Sequence, residues 1–306
     1  MNQRKVFGLR GKLILAMLAI GTVPIVMGLS VAYFKGTTQL QEVIGGSFEA
    51  LALDSASKID SEIQRLIDAD RILAHHAIEY AVIVNALKKQ TQKGGEDSFD
   101  WPNPDEERGD LEILIRSWVT GYGDVIADKK EGRYAGLAES DEIRVDLFQT
   151  GEGEDHYVLS ISIPIRKKDG GNIIGWLHRH YNAEEFLDSL IYPIRFGDTG
   201  HVMLIDNQGI VISCPLLSTG TLISDTDLIY PVAQEEAGWI SVGNDGHGEE
   251  TASLIGHAPL KSVNRYLQKG EKSLFTFVWQ DSEEIFAPMK SLQTGVTLAG
   301  FVALGL

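Results

Sequence analysis

The sequence is poor in cysteine, in basic residues and in the motifs of common enzyme chemistries. Cys214 is the one cysteine among 306 residues, so an internal disulfide framework and an all-cysteine metal site are both excluded. The 27 Lys and Arg face 43 Asp and Glu, a net charge of −16, which is the wrong sign for binding nucleic acid. The chain has no P-loop, G-x-S-x-G or H-E-x-x-H motif, and we predict no catalytic residue, cofactor or metal ion.

Acidic residues are also missing from the first 40 positions. Four bases, the last of them Lys12, precede an uncharged run over residues 13–34, which as a helix spans about 33 Å and can cross a bilayer. Because bases mark the cytoplasmic side, residues 1–12 should be cytoplasmic and residues 35–292 periplasmic. That outer part holds 23 bases and all 43 acids. A cleaved signal peptide ending near Ala32 is the alternative.

The other end is apolar as well. Residues 295–306 carry no charge but are too few to span a membrane, which takes about 20 residues. We expect residues 293–306 to begin a second transmembrane helix that continues past residue 306, and a final buried strand is the alternative. Two passes would make the chain an integral protein of the inner membrane, with a cytoplasmic output domain beyond residue 306.

Residues 35–95 have the pattern of one long stalk helix. Apolar residues such as Ile59, Ile63 and Leu66 recur at steps of three and four, and Lys93 followed by Gly94 forms a helix stop. Gly45 and its neighbour Gly46 would bend this helix near the membrane.

Alternating strands follow in two groups, so the predicted fold class is α+β. Residues 157–165 alternate, turn over residues 167–172 and return from Ile173 to Tyr181. A second group comprises strands at 202–205, 210–213, 238–242, 253–260 and 273–279, with a helix start at 281–284. The module boundaries are expected at 96–190 for the membrane-distal unit and 191–292 for the membrane-proximal unit.

This order of elements resembles the double Cache sensor domain. Three short segments carry the resemblance: Gly197-Asp198-Thr199-Gly200 before a strand–turn–strand, Phe277–Gln280 with Glu284–Pro288, and Ile163–Arg166 with Gly170, Ile174 and Gly175. The resemblance implies two tandem PAS-like antiparallel-sheet modules, a homodimer and a small-molecule ligand. It also implies the extracytoplasmic part of a histidine kinase of a two-component system, with a chemoreceptor or a diguanylate cyclase as alternatives.

Candidate ligand-binding residues come from the distal module, where one sheet face should line a cavity and the other should pack on the long helix. Arg179 could hold a carboxylate by a bidentate pair, and a surface salt bridge is the alternative. His178 and His180 lie two apart on a strand and could hold Zn²⁺ with a third ligand, or form a hydrogen-bonded pair. The ligand-binding set is Tyr134, Arg144, Asp146, Tyr157, Ser160, Trp176, Arg179 and Tyr181.

Three functions are compatible with these patterns. The favoured one is the non-enzymatic input domain of a transmembrane receptor that signals through the second membrane helix. The second is a membrane-tethered binding or assembly module without an output domain. The third, an extracytoplasmic hydrolase or metalloenzyme, would need a metal at His178 and His180.

Overall fold

The computed structural model describes residues 9–91, 142–149, 157–166, 173–223, 226–233, 236–243, 252–267 and 272–305. Its helices are α1 (Leu9–Thr91), α2 (Ala183–Ile191), α3 (Thr226–Val232), α4 (Val263–Tyr266) and α5 (Ser282–Gly305). Its strands are β1 (Arg144–Gln149), β2 (Tyr157–Arg166), β3 (Ile173–Asn182), β4 (Arg195–Phe196), β5 (Gly200–Asp206), β6 (Val211–Ser213), β7 (Gly238–Val242), β8 (Ser253–Pro259) and β9 (Leu274–Asp281).

Helix α1 is continuous over 83 residues and joins the predicted membrane run to the predicted stalk. The span Ile20–His76 contains a stretch long and apolar enough to cross a membrane, judged by length and composition. Gly45, one of the two glycines at the expected bend, lies inside this helix and has a packing role. A Cβ at Gly45 would lie 2.1 Å from Cδ2 of Trp239, so only glycine lets the indole ring approach the helix this closely.

The first sheet has three antiparallel strands in the order β1-β2-β3. The β2–β3 pairing confirms the predicted hairpin, with Ile161 opposite Arg179. Strand β1 was not predicted, and it pairs with β2 so that Val145 lies opposite Ile161. Helix α2 follows β3 directly, and the Asn182 side chain caps its start by accepting a hydrogen bond from the Glu185 amide.

The second sheet has six strands, with β4-β5-β9-β8-β7 in sequence across it and β6 paired to β5. Its strands match the predicted second group to within a few residues. The short helices α3 and α4 were not predicted, because neither is long enough to show a helical period. The chain then leaves β9 into α5 at the predicted acidic helix start.

Both sheets pack against α1. One apolar core contains Ile59, Ile63 and Ile67 of α1, none more than 1% exposed, together with inward side chains of both sheets. A second core lies on the other face of the six-stranded sheet, around Met203, Ile255 and Phe277. Helix α1 therefore forms the layer that the two sheets share.

The six-stranded sheet approaches the backbone of α1 closely. A Cβ at Gly256 would lie 2.3 Å from the carbonyl carbon and oxygen of Phe48. Nearby, the Thr276 hydroxyl donates to the Ala52 carbonyl at 2.8 Å. The Asp60 side chain accepts hydrogen bonds from the amides that begin α4, at Ser262 and Val263. Small residues, a hydroxyl hydrogen bond and the Asp60 carboxyl group at the start of α4 thus hold this part of the chain to the helix.

Candidate ligand-binding site

The three-stranded sheet has two different faces because successive side chains of a strand alternate. Its odd-numbered side chains, Leu159 and Ile161 among them, pack in the core with α1. Its even-numbered positions carry mainly polar residues, and the register sets them in rows across the sheet. One row joins Arg144, Ser162 and His178, and the next joins Asp146, Ser160 and His180.

An ion pair occupies one edge of this polar face. Arg144 Nε lies 2.9 Å from one carboxylate oxygen of Asp146 and 3.1 Å from the other. The two side chains are only 21% and 26% exposed, so water reaches this pair in part. Together they present a cation and an anion side by side, with no net charge, at the edge of the sheet.

Toward the middle of the sheet the polar face is fully buried. Ser160 and Ser162 are both 0% exposed, and His180 is 6% exposed. The His180 ring packs edge to face on Phe148, with centroids 5.9 Å apart. Within the described part of the chain the Ser160 hydroxyl makes no hydrogen bond, although a buried hydroxyl normally has a partner. This face therefore offers a buried hydrogen-bonding group beside an aromatic ring.

The predicted site residues separate into two groups in the structure. Arg144, Asp146 and Ser160 share the polar face. Tyr157, Arg179 and Tyr181 fall on the odd-numbered face that packs toward α1, and Tyr157 belongs to the core there. Trp176 is opposite Pro164 in the β2–β3 register. Tyr134 lies outside the described residues.

Arg179 and Tyr181 contact an acid of α1 that the sequence analysis did not single out. Arg179 Nη1 lies 3.1 Å from Oδ1 of Asp70, with side-chain exposures of 8% and 0%. The Tyr181 hydroxyl donates to the same carboxylate, 3.0 Å from Oδ1 and 2.9 Å from Oδ2. The Arg179 guanidinium also lies 5.2 Å from the centre of the Tyr181 ring. We call Asp70, Arg179 and Tyr181 the helix–sheet triad.

Burial dominates the electrostatics of the triad. Loss of water raises the pKa of Asp70 to about 6, against the opposing attraction of Arg179 and the hydrogen bond from Tyr181. Burial likewise raises the pKa of Tyr181, which stays a hydrogen-bond donor at every physiological pH. The expected alternative for Arg179 was a surface salt bridge, and the pair is a buried one.

A sequence signal for Asp70 existed. The buried stripe of α1 runs through Ile59, Ile63, Ile67 and Ala74, and Asp70 occupies a place in the same helical period. An acid at a core position needs a partner, and the basic and phenolic residues of the returning strand were the available ones. The distance between Asp70 and β3 along the chain concealed this pairing.

A second unpredicted contact joins the six-stranded sheet to α5. The Glu284 carboxylate accepts hydrogen bonds from the Asp198 amide at 2.7 Å and from the Thr199 amide and hydroxyl at 3.0 and 2.5 Å. Burial raises the pKa of Glu284, but these hydrogen bonds outweigh it and hold the pKa below its ordinary value. Gly197 turns the loop with φ of 60°, a conformation that favours glycine.

The remaining titratable candidates lie in less reactive surroundings. Cys214 is buried, with Sγ 3.8 Å from Nε2 of His201, and burial raises the pKa of its thiol. Among the described residues no group of three His, Cys, Asp or Glu side chains is arranged to hold a metal ion. The side chain of His178 is outside the described set, so the two-histidine hypothesis is not tested.

Comparisons with known proteins gave matches among solved structures. No family model and no curated protein matches the chain. The extracellular domain of the putative histidine kinase mmHK1S-Z2 aligns with a TM-score of 0.48 and 17% identity, over 79% of this chain and 98% of that one. The ligand-binding domain of the Pseudomonas aeruginosa PAO1 chemoreceptor PctC, in complex with GABA, aligns with a TM-score of 0.49 and 16% identity. The alignment covers 77% of this chain and 99% of that one.

A third match is the ligand-binding domain of the Pseudomonas fluorescens chemoreceptor CtaA, in complex with L-isoleucine. It gives a TM-score of 0.47 and 14% identity, over 82% of this chain and 96% of that one. These structures are an extracellular domain of a putative histidine kinase and ligand-binding domains of chemoreceptors, which are the receptor classes named in the sequence-based resemblance. At such scores the function of this chain rests on its own residues and contacts.

Proposed function

We propose that this chain is the extracytoplasmic, ligand-sensing input domain of a transmembrane receptor. The observation that carries the proposal is the position of the three-stranded sheet. One of its faces is polar and buried, and the other is fixed by the helix–sheet triad to α1, the helix that also contains the membrane-length run. A molecule bound on the polar face would act on α1 through a single strand.

The ligand that suits this face is a small polar molecule of little net charge. Ser160 offers a buried hydroxyl, and His180 with Phe148 offers an aromatic wall. The charge of Arg144 is already balanced by Asp146. The part of the chain beyond residue 34, with 23 bases and 43 acids, does not steer anions toward the site from a distance.

The remaining features of the proposal follow the predicted architecture. The two sheets would be tandem PAS-like modules, with α5 beginning a second membrane pass and the receptor acting as a homodimer. Packing between α1 and α5 supports the second pass. Residues 26–34 of α1, which are part of the membrane-length run, and residues 289–296 of α5 line an apolar cavity of about 360 Å³.

The output domain would lie in the cytoplasm beyond residue 306, and we propose a histidine kinase because the segment from β9 into α5 resembles the exit of such sensors. Residues 35–292 would be periplasmic and would carry no enzymatic activity. A chemoreceptor output would leave the input function unchanged. The coding sequence after codon 306 distinguishes these outputs from a tethered module without one.

A thermal-shift screen of the full chain in lipid nanodiscs tests the input function. The panel is the 20 L-amino acids, short carboxylic acids, primary amines and nucleobases. A ligand at 100 times its Kd stabilises the chain by about 2.7 kcal/mol, which raises the melting temperature measurably. We expect at least one compound to do so, and the shift to be lost in Asp146→Asn and kept in Asp68→Asn on the exposed face of α1. A panel without effect, or a shift that Asp146→Asn leaves intact, would contradict the proposed site.

A further inference from the structure

Strand β3 has different functional groups on its two sides within three residues. His180 lies on the polar face, while Arg179 and Tyr181 on either side of it reach Asp70 of α1. A shift of this strand therefore moves both partners of Asp70 together. The triad is placed where the sheet and the long helix can act on each other.

The Asp70 carboxylate is incompletely satisfied for a charged group with no exposure to water. It accepts one ion-pair contact from Arg179 and one shared hydrogen bond from Tyr181. These are the titratable groups that face it from β3, and among the residues that the structure describes no other element donates a hydrogen bond to Asp70. Once protonated, the carboxyl could donate a hydrogen bond to the Tyr181 oxygen, so both protonation states have a partner inside the fold.

We propose that protons are a second input to this domain, bound at Asp70 and transmitted as a change in the packing of α1 on β3. A protonated Asp70 favours the packed arrangement seen here. An ionised Asp70 favours an arrangement in which α1 shifts against β3 and the carboxylate gains water. This input goes beyond the proposed ligand sensing and does not depend on it.

The direction follows from linkage between protonation and packing. The pKa of Asp70 is about 6 in the packed state and near 3.8 when the group is free in water. The packed state therefore binds the proton about 100-fold more tightly. Protonation of Asp70 stabilises the packed state fully below pH 4, and this stabilisation is lost as the pH rises through 6. Between pH 5 and 7.5 the ratio of packed to shifted α1 falls about tenfold.

Infrared titration of the full chain in nanodiscs tests proton binding. A buried carboxylic acid gives a carbonyl band that its carboxylate lacks, and we expect this band to appear below pH 7 with a midpoint near 6. Asp70→Asn should abolish the band, while the control Asp68→Asn, on an exposed residue of the same helix, should keep it. Tyr181→Phe should move the midpoint to higher pH, because it removes a hydrogen bond that favours the carboxylate.

A distance measurement tests transmission. Spin labels at Ile72 of α1 and Glu185 of α2, both exposed, are introduced as cysteines in a Cys214→Ser background. The distance distribution should differ between pH 5 and 7.5 and should lose that difference in Asp70→Asn. A carbonyl band with a midpoint near pH 6 that survives Asp70→Asn overturns the proton site. A band that titrates while the distances stay constant overturns the transmission, and neither outcome bears on ligand binding.

Discussion

Helix α1 is held by two sheets in two physically different ways. The six-stranded sheet contacts it through close backbone approach, with Gly45 against Trp239, Gly256 against Phe48, and the Thr276 hydroxyl on a helix carbonyl. The three-stranded sheet contacts it through a buried ion pair and a tyrosine hydroxyl. The first contact depends mainly on shape, with Asp60 of α1 accepting hydrogen bonds from the amides that begin α4, and the second depends on a buried charge.

The difference implies that two parts of α1 differ in how freely they can move. A contact made by shape has little freedom, because packed atoms do not tolerate sub-ångström shifts. A contact made by a buried charge can have two arrangements of similar free energy, here α1 packed on β3 and α1 shifted against it. Binding of a proton or movement of the strand can then change which arrangement is populated. The part of α1 that packs on the six-stranded sheet would then stay fixed, and the part that packs on β3 would move against it.

The largest effect is expected where the shape contact is broken. In Gly256→Ala the new Cβ would meet the Phe48 backbone at 2.3 Å, and backbone cannot move aside as a side chain can. We expect the free energy of unfolding to fall by about 3 kcal/mol. Gly46→Ala is the control, because a Cβ there meets nothing within 4 Å. Alanine is the better helix former, so the free energy of unfolding should rise by about 0.5–1 kcal/mol. Chemical denaturation followed by tryptophan fluorescence measures both, and equal stability of Gly256→Ala and the native chain would refute the close approach.

The charge contact should break in a manner that depends on pH. Arg179→Met leaves Asp70 buried without its cation, which should cost about 3 kcal/mol at pH 7.5. The cost should be smaller at pH 5, because Asp70 can then be protonated. Arg71→Met, which removes an exposed pair with Asp68, should cost under about 1 kcal/mol at either pH. Denaturation curves at the two pH values measure these losses in the free energy of unfolding. A loss for Arg179→Met that does not change with pH would rule out an ionised Asp70 in the triad.

Breaking the contact between the six-stranded sheet and α5 should lower the free energy of unfolding by a smaller amount. Glu284→Gln keeps the shape of the side chain but removes the charge from three hydrogen bonds, for an expected loss of about 1–2 kcal/mol. Because the folded pKa of Glu284 is lowered, its contribution is present at neutral pH and disappears as the pH falls below 4.5. Glu283→Gln is the control, with a side chain 78% exposed and an expected effect near zero. A loss for Glu284→Gln that is as large at pH 3 as at pH 7 would contradict this account of Glu284.

The smallest effect is expected in the labelling of Cys214. This thiol lies in the six-stranded unit, away from Asp70, and burial raises its pKa. After correction for the thiolate fraction, its alkylation rate should be the same at pH 5 and 7.5, because the shape contact does not respond to protons. If the protection of Cys214 from alkylation changes with pH as the packing of β3 on α1 does, the two sheets open together.

The sequence predicted the local elements better than the contacts between them. The β2–β3 hairpin, the strands of the second group and the start of α5 follow from alternation, turn residues and acids at a helix start. Strand β1 was missed although Arg144 and Asp146 were chosen, because six residues of mixed polarity give a weak strand pattern. The predicted membrane run and stalk form one helix, since nothing between residues 34 and 35 ends it.

The candidate site was predicted by residue type and only partly by face. Alternation placed Arg179 and Tyr181 together and apart from His180, which the structure confirms. Which face meets α1 could not be deduced, because that depends on how the helix docks over residues more than 100 positions away. An acid on a buried helical stripe was the available clue, and in similar sequences such an acid indicates the face that binds the helix.

Amide hydrogen exchange of the full chain in nanodiscs tests the division between the two sheets most directly. The probe is the compound of the panel that stabilises the chain most, compared with the chain alone. We predict that protection rises in Arg144–Gln149 and Ile173–Asn182 and changes in residues 66–74 of α1, while Ser253–Pro259 and residues 45–56 of α1 stay constant. Protection that rises only in the six-stranded sheet would contradict the account and would place the ligand site in the other unit.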